Sequence, residues 1–196
     1  MIDSNLRAFF HSLFPKDLFE LRFGKGVNIR SKNYMVTVTC EPSLFFVTHE
    51  MAHLIEAPNA DIFKNDVGLG FPEYLLTNSE LKAQAYKTEV PFKRELRVYG
   101  IQYALAHYAK VKHSLKLSSE HLTNYMITTA KINLVGSQSH PKPFMCPTLL
   151  EKPIADICIH IENKMFEYSK AYPHTKLPVI LDRKFNYMRE QRRNNH

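Results

Sequence analysis

The sequence predicts an α+β fold, a small antiparallel sheet of about three strands followed by a mainly helical body. Three observations carry this expectation. Apolar and polar residues alternate over positions 18–40, apolar residues recur at helical spacing from position 44 onward, and proline and glycine punctuate the change of period. With 196 residues and 44% hydrophobic content, the chain is long enough for one domain with a proper core.

A short helix is expected over 6–14, where Phe9, Phe10, Leu13 and Phe14 supply core anchors and Pro15 closes it. Strands follow over 18–23, 27–30 and 34–40, the first two separated by a turn at Gly24 to Gly26. Pro42 and Ser43 mark the start of a second helix. Its apolar residues Leu44, Phe45, Val47, Met51, Ala52, Leu54 and Ile55 wrap most of its circumference, and Pro58 ends it. Residues 59–72 read as a structured loop. Helices are expected over 79–88, 92–113, 119–134 and 152–171, with a Ser- and Pro-containing loop over 136–147. Pro173 and Pro178 then break the chain, and a basic tail begins at about residue 182 of a single domain spanning 1–196.

Composition narrows the function classes. No run of about 18 apolar residues is present, so no membrane span is expected. The amino terminus lacks a basic segment followed by an apolar stretch, and a cytoplasmic location follows. Three widely spaced cysteines, Cys40, Cys146 and Cys158, argue against a disulfide framework and a cysteine zinc knuckle. The net charge of +7 favours acidic partners, and Arg183, Lys184, Arg189, Arg192 and Arg193 concentrate part of it in the tail, where nucleic acid could bind. A solvated basic helix is the commoner use of such a segment.

The most informative segment is His49-Glu50-Met51-Ala52-His53, an H-E-x-x-H pattern. Four residues make roughly one helical turn, so both imidazoles leave one face and can converge on a single tetrahedral ion, Zn2+ by ligand type. Glu50, one residue past the first ligand, is placed to take a proton from a water that the ion acidifies. A mostly buried helix carrying two histidines and a glutamate without partners would bear a large desolvation penalty, which a cation relieves.

A catalytic zinc keeps three protein ligands, so one remains to be found. A metzincin would place glycine and a third histidine where this chain has Glu56 and Asn59. Glu56 itself lies about 10 Å along the helix axis from His49, which suits a supporting role. Glu80, 27 residues after His53 at the start of the helix expected over 79–88, is the leading candidate. Its competing use is local, because Thr77-Asn78-Ser79-Glu80 satisfies a capping box. Glu73, Asp61 and Asp66 follow it. Tyr74, Tyr86, His107 and His140 are chemically able to steady an oxyanion.

The stretch Phe46 to His53, with the looser stretch Glu80 to Tyr86, resembles the gluzincin arrangement. More narrowly, it resembles the short ImmA/IrrE-type and antirestriction-type peptidase domains, over about residues 34–90. The resemblance implies a zincin-like fold, a zinc metallopeptidase acting on a protein or peptide substrate, and Glu80 as the third ligand. It also implies, by analogy of fold, that the strand over 34–40 holds an extended substrate by strand addition. Two other classes fit the residues: a zinc-stapled module that binds nucleic acid or protein without hydrolysis, and a metal-free helical interaction protein presenting 152–171.

Overall fold

The computed structural model describes residues 2–63, 89–115, 119–135 and 152–194. Helix α1 (Ile2–Leu13) buries Leu6, Phe9, Phe10 and Leu13 at helical spacing, and Phe14 continues the stripe. Strands β1 (Phe19–Phe23), β2 (Asn28–Lys32) and β3 (Met35–Cys40) then form a sheet ordered β1-β3-β2. Phe19, Leu21, Ile29, Val36, Val38 and Cys40 are buried from alternate positions, which is the pattern of a sheet with one face in the core.

The α+β class is as expected, but the sheet is mixed. β2 and β3 pair antiparallel through a two-residue turn, Asn33-Tyr34, both with positive φ (52° and 58°), as tight hairpins require. β1 pairs with β3 in parallel, Phe19 opposite Val36 and Phe23 opposite Cys40. Alternation reports which face of a strand is buried and carries no information on its neighbour, so the order had to come from packing. Gly26, at φ 79°, supplies the left-handed residue of the connection that carries the chain past β3.

Both sides of β3 are therefore occupied, and no further strand can add to it, contrary to the expectation that this strand receives an extended substrate. The outer edge of β1 is also engaged: Arg7 of α1 donates to the Leu21 carbonyl and lays its guanidinium 4.6 Å from the centre of the Phe23 ring.

Helix α2 (Leu44–Glu56) starts at Ser43, whose hydroxyl accepts from the Phe46 N–H at 3.2 Å. It stands between two apolar clusters. One contains α1, the sheet, the inner face of α2 and residues Val98, Ile101, Leu105 and Ala109 of α3 (Glu89–His113). The other joins Phe92, Leu96 and Tyr99 of α3 to α4 (Ser119–Val135) and α5 (Ile154–Ser169), with Phe45 of α2 packed against it. Helix α3 is thus apolar on two faces and serves both clusters. The helix expected over 79–88 lies outside the described residues.

Helices α3 and α5 approach closely at Gly100, where an added Cβ would meet Tyr168 Cβ at 2.6 Å and the Met165 carbonyl at 2.9 Å. Gly100→Ala should therefore lower stability by about 1–3 kcal/mol, although alanine is intrinsically the better helix former by about 1 kcal/mol. The denaturant midpoint checks the sign, because an unaltered α3–α5 contact would give stabilisation.

The last helix, α6 (Leu177–Asn194), carries Pro178 in its first turn, where no N–H is needed, so this proline begins a helix where a break was expected. Leu181, Phe185 and Met188 bury one face against Phe14 and Phe19. Of the five basic residues expected in a tail, Lys184 is buried, and Arg189 and Arg192 bond Asp17. Among the described residues no helix is long and apolar enough to cross a membrane.

Candidate metal centre

The spacing of His49 and His53 does what the pattern predicts. Their Nε2 atoms lie 3.2 Å apart and their rings stand nearly perpendicular, at 89°. Facing them is a carboxylate the sequence reading did not single out. Glu95 of α3 places Oε1 3.3 Å from His49 Nε2 and Oε2 3.6 Å from His53 Nε2. An ion bonded tetrahedrally at about 2.0–2.1 Å separates its ligand atoms by about 3.3–3.4 Å; the two Nε2 atoms stand close to that separation, and Glu95 presents a different carboxylate oxygen to each. The residues present fit a zinc ion.

Glu50 is arranged differently. A carboxylate oxygen of Glu50 lies within 4.8 Å of the imidazole nitrogens, so His49, Glu50 and His53 together form a candidate metal cluster. Its carboxylate nevertheless makes no ion pair with either ring among the described residues, whereas Glu95 pairs with both. Two carboxylates thus border the pair of imidazoles, Glu95 in contact with both and Glu50 within 4.8 Å.

His49 is oriented from behind. Its Nδ1–H donates to Gln102 Oε1 at 3.1 Å, which aims Nε2 at Glu95. The Gln102 amide is in turn fixed, with Nε2 donating to the Phe45 carbonyl at 2.9 Å and to Thr48 Oγ1 at 3.4 Å. Thr48 donates to the Leu44 carbonyl, one turn back. Aromatic rings complete the wall: Phe45 stacks parallel to His49, and Tyr99 lies 5.2 Å from it.

The electrostatics follow from burial, since Glu50, His53 and Glu95 are each less than 10% exposed. Burial pulls the His49 pKa down, yet the Glu95 carboxylate, helped by Glu50 and Gln102, raises it overall to about 9. Burial lowers His53 to about 4, with Glu95 opposing and the charge on His49 reinforcing. Burial opposes ionisation of Glu95, but the two imidazoles outweigh it and hold its pKa below the usual value. Glu50 is raised to about 7 by burial, His49 lowering it and Glu95 adding to the rise. Two buried carboxylates beside two imidazoles thus demand positive charge, which a proton on His49 supplies in part and a divalent cation supplies in full.

Of the third-ligand candidates read from the sequence, Glu80, Glu73 and Asp66 lie outside the described residues. Asp61 sits in the short 3-10 turn Asn59–Asp61, apart from the cluster. Glu56 has the supporting role expected of it, accepting from Arg97 at 2.7 and 3.0 Å. Tyr74, Tyr86 and His140 also lie outside the described residues, while His107 is exposed and faces His174 instead of the cluster. The signal that could have revealed the missed groups was present: Glu95, Tyr99 and Gln102 fall at i, i+4 and i+7 on one face of an expected helix, two polar groups on an apolar stripe.

Comparison with family models, with curated proteins and with solved structures finds no match to this chain.

Proposed function

We propose that this chain is a zinc-dependent hydrolase of peptide bonds, with His49, His53 and Glu95 as ligands and Glu50 as general base. The observation that carries the reading is the convergence of the two Nε2 atoms and the Glu95 carboxylate within 3.2–3.6 Å, with Glu50 set slightly farther off. Zinc, when bound, supplies Lewis acidity that polarises a carbonyl and lowers the pKa of water to about 7.

The protein's own groups do the rest. Glu50, raised toward neutrality by its burial, accepts a proton from the attacking water and delivers it to the departing amine nitrogen. Gln102 holds His49 in one tautomer throughout. The free thiols of Cys40 and Cys158 suit a reducing compartment, so a cytoplasmic setting is part of the same proposal. A nucleic-acid module is less well supported, because Lys184, Arg189 and Arg192 of the basic segment are engaged within the fold.

The test is metal removal. Protein stripped by a chelator should lose cleavage of an unfolded protein substrate, and one equivalent of zinc should restore it. Cleavage that survives stripping would reject the proposal, as would a zinc-loaded chain that cleaves nothing across a diverse peptide library.

A further inference from the structure

His49 and His53 are held in different ways. His49 is anchored at Nδ1 by Gln102, but His53 Nδ1 is buried without a hydrogen-bond partner among the described residues. A ligating imidazole ordinarily has its second nitrogen tied down. The direction of the His53 ring therefore depends on the backbone from which it grows, the last turn of α2.

That turn lacks the usual closing devices. The Ala57 N–H donates to the His53 carbonyl at 2.9 Å, but Ala57 then turns extended (φ −54°, ψ 134°) ahead of Pro58, which has no N–H to offer. No left-handed glycine caps the helix, so its final carbonyls need donors from elsewhere. Lys184 of α6 reaches this end of the helix. Its Nζ donates to the Ile55 carbonyl at 3.1 Å and to the Ala57 carbonyl in a shorter contact. The side chain is 9% exposed in a helix that otherwise buries Leu181, Phe185 and Met188. Burial lowers its pKa to about 8, with Glu56 opposing, so it remains mainly charged at pH 7, the favourable sign at a helix C-terminus.

We propose that Lys184 is a positioning residue for the metal centre: by bonding the Ile55 and Ala57 carbonyls it fixes the last turn of α2, and with it the direction in which His53 presents Nε2 beside His49 and Glu95. The proposal rests on the reading of those three side chains as ligands. It makes the C-terminal helix, whose Lys184 lies 129 residues after Ile55, part of the site's support.

The experiment measures zinc affinity of the full chain by competition with a chromophoric chelator. Lys184→Met keeps the apolar stem and removes the donors, and should weaken zinc binding by about 10- to 100-fold. Met188→Ala opens a cavity in the same helix without touching the cap. It should lower stability yet leave zinc affinity within about threefold of wild type, the scatter expected of an intact ligand set. In the metal-free proteins, hydrogen exchange of the Ala57 amide should accelerate in Lys184→Met and not in Met188→Ala. Lys184→Gln, with a donor on a shorter stem, serves if Lys184→Met does not fold, and should lose affinity to an intermediate degree. Unchanged zinc affinity in the Lys184 variants, or an equal loss in Met188→Ala, overturns the proposal. A wild-type chain that takes up no zinc rejects the ligand reading itself; Ala57 exchange then still decides whether Lys184 fixes the turn, unchanged protection counting against it.

Discussion

Glu95→Gln should leave the protein folded and weaken its hold on zinc by at least about 100-fold, more than loss of an outer-shell partner costs. Glu95 is the one described carboxylate that pairs with both Nε2 atoms, at 3.3 and 3.6 Å, so under the proposed ligand set its removal would leave two ligands where a catalytic zinc needs three. Charge adds to this, because an amide carries no negative charge to offset the cation in a buried site. The amide is nearly isosteric and can still hydrogen-bond an imidazole, which is why the fold should survive. Elemental analysis of the purified variant beside wild type checks the result. Stoichiometric zinc in Glu95→Gln would move the third ligand elsewhere, with Glu80 the first alternative.

The second large effect belongs to Glu50. Glu50→Gln should retain zinc and lose about 10²- to 10⁴-fold in kcat, the range that a positioned general base contributes. The two variants therefore separate binding from chemistry: one loses the ion, the other keeps it and loses turnover. On the proposed mechanism the same carboxylate should set the acid limb of the pH profile. Its pKa is raised from 4.5, so the deprotonated base is present at higher pH and is lost as pH falls through the raised value. Activity should accordingly fall on acidification, about tenfold per pH unit once below that limb, and Glu50→Gln should abolish the limb. A variant that keeps wild-type turnover, or a wild-type profile flat through the acid range, would remove Glu50 from the mechanism.

How much of this was legible in the residues themselves differs from element to element. Helix α2 was readable nearly to the residue, since Ser43 and Pro58 bracket it and one-turn spacing dictates that His49 and His53 share a face. Helices α3, α4 and α5 were readable from their apolar period, within two or three residues at their ends. Strand order was not, because β1 joins β3 through a parallel pairing that local alternation does not encode. Glu95 was not found either. It lies 42 residues after His53 and enters the site only because α3 packs along α2, a tertiary fact. Lys184 was misleading in the opposite sense. In sequence it belongs to a basic run, and only the docking of α6 turns its ammonium inward to the carbonyls of another helix.

The arrangement of the sheet has a further consequence, for how the molecule avoids its own kind. Three short strands with two free borders would ordinarily invite a neighbouring copy to zip on and start an aggregate. One border is guarded by a guanidinium bonded to the Leu21 carbonyl, and the other is fringed by Arg30 and Lys32, whose exposed positive charges repel an approaching twin. The chain thereby protects the borders of its sheet with the same cationic surplus that a glance at its composition would assign to nucleic acid.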